Sequence, residues 1–199
     1  MTVVNRGFRG RRTESAHQLP PGQHVTADFP VLQAGPTPSI DLDEWRFTVG
    51  NEFGAQRAWT WPQLQSLPSE RRIVDIHCVT SWSKLGTQWE GVALDRFFED
   101  IDTAVGFAFV GSYGGYTTNI PVADLLGGKA WIVYSYQGEP LSAIHGGPAR
   151  LLIPHLYFWK SAKWVRSILL SNSETPGFWE RLGYHNYGDP WQEQRYAGD

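Results

Sequence analysis

Glycine and proline punctuate this chain so densely that no long regular element fits between them. There are 21 glycines and 13 prolines among 199 residues, about one residue in six. Proline fixes φ and removes a backbone donor, and glycine raises the entropic cost of any helix or strand that contains it. The consequence is short elements joined by ordered loop. Such elements need large, rigid side chains to hold them, and the chain carries 10 Trp, 10 Phe and 8 Tyr. With 41% hydrophobic and 19% charged residues, a chain of this length builds one compact domain with a sizeable core.

The formal net charge of −3 implies neither nucleic acid nor an anionic membrane as partner, so any anion site has to be local. No stretch approaches 18 uninterrupted apolar residues, and no membrane span is expected. The single cysteine rules out an intrachain disulfide and any four-cysteine zinc or iron–sulfur site within the chain. It suits a reducing compartment. Arg11-Arg12 has no apolar segment behind it, which speaks against twin-arginine export. The expected location is cytoplasmic.

Residues 1–28 read as a basic arm with Arg6, Arg9, Arg11 and Arg12, either a solvated tail or a segment that neutralises a bound anion. Residues 29–199 read as the domain, opened by an extended connector over Phe29–Pro38. Trp45 through Asn51 alternates apolar and polar, a half-buried strand, with Arg57–Thr60 as its hairpin partner. Thr60 then precedes a short helix that has Pro62 in its first turn. Arg72–His77 is β-branched and fits an inner strand. A helix over 94–101 follows, with Asp95 as its cap. Further strands are predicted over Gly106–Val110, Trp131–Tyr136, Arg150–Pro154 and Val165–Leu170. One helical turn is predicted over Pro121–Leu126, stopped by Gly127-Gly128, and a helix from Thr175-Pro176 to Gly183. The remainder packs as an ordered polar-aromatic tail. Strands and helices do not alternate regularly and no GxGxxG follows a strand, so the expected class is a single mixed α+β domain and not a Rossmann fold.

Three places carry chemistry. Cys78 ends the Arg72–His77 run, where a Trp-, Ser- and Lys-rich loop is expected to open. It is a small buried hydrophobe, a nucleophile or a metal ligand. His77 should point to the opposite face, His145 is a distant candidate base, and no cysteine-protease motif surrounds either. The six histidines match no zinc spacing. The second place is His145-Gly146-Gly147 with Arg150, whose head can point back into the glycine loop. Lys160, Ser161 and Lys163 follow, and at a helical turn the two lysines would share a face and grip an anion. The third is Gly114 to Pro121, where Tyr116, Thr117, Thr118 and Asn119 crowd hydroxyls and an amide beside two glycines. That stretch is a site lining or a polar loop.

Four blocks in order, DIHCVTSWSKLGTQWEGV, GGYTTNIPV, GEPLSAIHGGPARLLIPHLYFWKSAKW and GFWERLGYHNYGDPW, resemble the molybdopterin-binding domain of the sulfite oxidase superfamily. More closely, they resemble its short stand-alone bacterial oxidoreductases. The resemblance implies the superfamily's own mixed α+β, single-domain fold and a molybdenum cofactor held as molybdopterin. It implies that Cys78 ligates the metal and that Tyr116 and Thr118 border the reacting centre. Cofactor contacts would come from His77, Thr118, Asn119, His145 and Arg150, with Lys160, Ser161 and Lys163 at the phosphate and His17 reaching in from the arm. It further implies a small-molecule substrate and a separate electron donor or acceptor protein, because the chain offers no second redox centre. Oxygen-atom transfer on a small sulfur or nitrogen compound is the expected activity. Sulfite oxidation and a non-catalytic cofactor carrier are the alternatives. True sulfite oxidases follow their cysteine with an arginine-rich stretch. Here Val79 to Lys84 follow, with no arginine until Arg96, and the CVTSW context is more similar to the methionine-sulfoxide reductase branch.

Overall fold

A computed structural model of the chain describes residues 19–99, 101 and 103–199. His17 and the four arm arginines lie outside the described residues. In chain order the strands are β1 His24–Val25, β2 Arg46–Asn51, β3 Gln56–Thr60, β4 Glu70–His77, β5 Trp82–Ala93 and β6 Phe107–Ser112. They continue with β7 Thr117–Pro121, β8 Trp131–Tyr136, β9 Glu139–Pro140, β10 Arg150–Leu152 and β11 Val165–Ser171. One sheet runs β1-β5-β8-β10, with β4 on β5 and β9 on β8; the other runs β3-β2-β11-β6-β7. Buried residues of both sheets, among them Val92, Ile132 and Leu151 from the first and Phe47, Val110 and Ile168 from the second, form one core cluster. A second cluster, with Ile76, Cys78, Trp82, Trp89, Leu152 and Tyr157, lies on the first sheet.

Local chemistry explains the parts that match the sequence. β2 and β3 pair as the expected hairpin, with Phe47 opposite Trp59. Helix α1, Trp61–Ser66, starts at a capping box: the Thr60 hydroxyl accepts from Gln63 N, and the Gln63 side chain accepts from Thr60 N at 2.8 Å. β6, β8, β10 and β11 fall where short apolar runs predict strands.

Four expectations are corrected. The residues after Cys78 form β5, at twelve residues the longest strand, and not an open loop. Gly91 makes its pairing possible, because a Cβ there would come within 2.2 Å of Ile132 O on β8. The Arg72–His77 run belongs to an edge strand, since β4 pairs only β5 and Ile73 is 72% exposed. The helix over 94–101 shrinks to α2, Asp95–Phe98. Its Asp95 carboxylate caps a different backbone turn by accepting from Gly127 N and Gly128 N at 2.7 and 3.0 Å. No helix starts at Thr175-Pro176. A single 3-10 turn, Glu180–Leu182, ends at Gly183 with φ 99°. The mixed α+β label therefore holds only loosely, for α1 has six residues and α2 four, and the architecture is mostly sheet. Among the described residues no helix is long and apolar enough to cross a membrane.

Candidate functional site

The cysteine stands in the tight connection between β4 and β5. Cys78 N donates to Trp82 O at 2.8 Å and Ser81 N to Cys78 O at 3.0 Å. Ser81 takes a left-handed φ of 73° to close the turn. The Gln23 amide donates to Cys78 O at 3.0 Å. His77 faces away, as alternation along a strand requires, and its Nδ1 lies 2.8 Å from Ser83 Oγ. Cys78 Sγ lies 3.2 Å from Thr80 Oγ1 and lines a cavity of about 320 Å³. Burial pushes the Cys78 thiol pKa up, and the Thr80 hydroxyl and the Arg195 charge only partly oppose it. A thiol so placed becomes a thiolate most readily by binding a cation.

The same cavity wall carries Tyr116, Arg150, Ser161 and Lys163, and among the described lining residues there is no aspartate or glutamate. Arg150 starts β10 with its guanidinium turned back into the glycine loop. Nη1 donates to His145 O at 2.7 Å and Nη2 to Ser161 O at 2.6 Å, and the group lies 4.1 Å above the Phe158 ring. Burial pulls its pKa down to about 9, with Tyr116 opposing. Lys163 donates to Ile144 O at 2.7 Å. Burial, then the Arg150 charge, lowers its pKa to about 8. Two cations beside a lining with no described carboxylate, one of them depressed by the other, form a site short of negative charge. The Tyr116 hydroxyl donates to Trp159 O at 2.7 Å, and burial lifts its pKa well above the phenol range. The Ser161 hydroxyl is spent on Ile153 N at 2.9 Å.

Lys160 behaves otherwise. Fully buried at the end of a 3-10 turn, Phe158–Lys160, it points away from the cavity into a closed polar cluster. Its ammonium meets Asn119 O at 2.8 Å, Asn119 Oδ1 at 3.1 Å, Glu180 Oε1 at 2.6 Å and Asn186 O at 2.5 Å. The same Glu180 oxygen accepts from the Thr118 hydroxyl at 2.8 Å and the Trp159 indole at 3.0 Å. The expectation that Lys160 and Lys163 share a face fails because the 3-10 turn ends at Lys160 and Ser161 leaves the helical region with ψ 75°. Lys160, Thr118 and Asn119 brace the wall from behind, and neither they nor His77 are among the residues that line the cavity.

The outer wall is the connector. Residues from Phe29 to Pro36 line the cavity as an extended strap. Phe29 stacks on His145 at 4.0 Å and 10°, and its carbonyl accepts from His145 Nε2 at 3.1 Å. The Ser142 hydroxyl meets Nδ1 at 3.0 Å. The ring is thus latched on both nitrogens and is not a base for Cys78. The structure also brings no group of three histidine, cysteine or acidic residues together among the described residues, so the histidine-zinc reading gains nothing. Sequence reasoning missed the strap as a wall and Arg195, and it did not single out Trp159 and Tyr184 as aromatic panels of the site beside Trp82. The apolar start at Phe29 was a signal for the first. Arg195 gave none, since its partner Val79 lies 116 residues away.

A lone thiol and two cations around one cavity with no described carboxylate, on this two-sheet frame, suit a protein that binds an anionic ligand. Residues 34–179 match the oxidoreductase molybdopterin-binding domain, and the chain belongs to that family. It is an oxidoreductase that binds the molybdenum cofactor as molybdopterin. The uncharacterized oxidoreductase YuiH of Bacillus subtilis (strain 168) is 40% identical over 95% of this chain and 97% of its own length. YedZ1 of Azospira oryzae, provisionally named a protein-methionine-sulfoxide reductase subunit, is 29% identical over 75% of this chain, which spans 57% of that relative. The sulfane dehydrogenase SoxCD of Paracoccus pantotrophus has a similar fold, with TM-score 0.62 at 14% identity. That likeness covers 70% of this chain and 41% of the SoxCD chain.

The residues present fit the cofactor. The thiol is a soft ligand for a high-valent metal, and Arg150 and Lys163 supply the charge that a phosphate lacks in an apolar cleft. The Trp82 indole N–H, from a residue on the same wall, is buried without a partner among the described residues.

Proposed function

We propose that this oxidoreductase transfers an oxygen atom to or from a small sulfur or nitrogen compound. In this reading Cys78 is the protein ligand of molybdenum, Arg150 and Lys163 hold the anionic end of the pterin, and Tyr116 borders the substrate space. The cofactor supplies the two-electron chemistry, and the chain binds, aims and dries it. The observation that carries the reading is the cavity wall itself, which combines the only cysteine of the chain with two cations and no described carboxylate.

The substrate class follows from what else lines that wall. Arg150 is the one arginine among the described lining residues, and its nitrogens already serve three carbonyls. Trp82, Trp159, Phe178 and Tyr184 make the remainder aromatic. A neutral sulfoxide or N-oxide suits such a wall better than the dianion sulfite, and the name carried by the Azospira oryzae relative points the same way. Electrons then come from a separate donor protein. The lone cysteine, free of any disulfide, supports the cytoplasm as the compartment, and cell fractionation checks that.

The test is to produce the protein in a host that makes the cofactor and to measure molybdenum per chain. Sulfoxides and N-oxides are assayed with reduced viologen, and sulfite with an artificial acceptor. The expected result is one metal per chain, with reductive turnover far above sulfite oxidation. Cys78→Ser should abolish turnover and leave the fold intact. Sulfite turnover equal to the best reductive substrate would overturn the substrate class. Normal turnover in Cys78→Ser would overturn the ligand assignment.

A further inference from the structure

The cysteine turn is held from outside by a residue of the carboxyl-terminal segment. Arg195 Nη1 donates to Val79 O, the carbonyl next to Cys78 in the turn, and Nη2 donates to Pro21 O at 3.2 Å. The guanidinium also lies 5.1 Å over the ring of Tyr157, a member of the buried cluster around Cys78. Its side chain is 14% exposed. One planar group thus bridges three segments that are remote in sequence: residues before β1, the β4–β5 turn and the chain's last turn.

The surroundings are built to keep it there. Asp199 accepts from Arg195 N at 2.9 Å and from Tyr196 N at 2.6 Å. Tyr184 pairs with Tyr196, and Tyr184 lines the cavity. Gly22, at φ 67°, leaves room for the guanidinium, because a Cβ there would lie 3.0 Å from Arg195 Nη2. Glu193, 3.8 Å away, is half exposed and too distant for a hydrogen bond, so it neutralises the cation weakly. The guanidinium stays on the carbonyl next to Cys78 in sequence, and its charge opposes the burial that raises the Cys78 thiol pKa.

We propose that Arg195 is the positioning residue of the metal ligand: it fixes the Cys78 turn through the Val79 carbonyl and sets a positive charge beside the thiolate. This rests on Cys78 being the ligand of molybdenum. A cation beside an anionic ligand weakens its donation to the metal and favours the reduced metal, so it raises the reduction potential. The planar fork also matters, since a lysine ammonium supplies the charge without spanning two carbonyls.

The test compares Arg195→Gln and Arg195→Lys with Cys78→Ser, using Arg181→Gln as the exposed control. The readouts are molybdenum per chain and the reduction potential of the bound metal. Arg195→Gln should lower the potential and reduce metal content severalfold. Arg195→Lys should restore the potential and leave content reduced, and the control should match wild type. Wild-type potential and content in Arg195→Gln, with metal lost from Cys78→Ser, would overturn the proposal alone. Full metal retention in Cys78→Ser would overturn it together with the ligand assignment. Should Arg195→Gln fail to fold, Arg195→Lys decides: full metal content there also overturns it.

Discussion

Two lysines three residues apart show how differently one chain can treat the same side chain. Lys160 is buried in a closed set of oxygens, with Glu180 as its counter-charge. Burial pulls its pKa down and Glu180 holds it up. Lys163 reaches a carbonyl and the Trp164 ring but no carboxylate among the described residues, and its charged neighbour is another cation, Arg150. The first arrangement is neutralised within the fold and offers the cavity no charge, although Glu180 Oε2 is buried without a hydrogen-bond partner among the described residues. The second is incomplete by one or more negative charges. A buried cation marks a ligand site only where its counter-ion is missing, and the tetrapeptide KSAK contains one case of each.

Breaking the neutralised site should give the larger effect. Lys160→Met leaves Glu180 as an unpaired buried charge, which costs about 3–5 kcal/mol. The expected outcome is a large fall in thermal midpoint, read by calorimetry, in cofactor-free and loaded protein alike. Lys163→Gln should do the reverse. It removes one charge-assisted bond to the anion, worth about 1.5 kcal/mol, and so weakens phosphate binding to cofactor-free protein about tenfold. Its melting should be unchanged or slightly higher, since a repulsion with Arg150 is relieved. If both variants lost stability equally, the distinction between the two lysines would collapse.

The smallest effect is in pH. Lys163 has its pKa lowered to about 8 and Arg150 to about 9. The proton is needed for anion binding, so phosphate affinity should be full below pH 8 and fall as pH rises through about 8, then again through about 9. Neighbouring His145, whose pKa is lowered mainly by burial, is neutral across this range and contributes no step. Lys163→Gln should erase the first step and keep the second, measured by titration calorimetry with inorganic phosphate.

The sequence was most legible where short-range chemistry decides. The Thr60 cap, the β2–β3 hairpin and the Arg150 head turned toward His145 O all follow from neighbours within a few residues. Cys78 was legible as a candidate, and the four sequence blocks located the domain. β5 was hidden because serine, lysine and glycine dominate its start, and its strand character comes from pairing with β4 on one edge and β8 on the other. The separate fates of Lys160 and Lys163 were hidden because they depend on Glu180 and on the break in the turn at Ser161. Arg195 was hidden because its contacts are made entirely by chain segments that meet only in the folded state.

The strap over the cavity has a kinetic meaning. Among the described residues, no backbone hydrogen bond ties residues 30–38 to either sheet, and the anchor at Phe29 is a side chain stacked on His145 and packed against Trp82, Trp89, Tyr136 and Phe158, with one bond to its carbonyl. Segments with so few ties open far more often than the domain unfolds. A group enclosed beneath this strap should therefore leave at a rate tied to how often Phe29 parts from its ring neighbours. Residence and stability thereby become separable properties: the sheets decide how long the domain lasts, and one anchored phenylalanine governs how long it keeps what it holds.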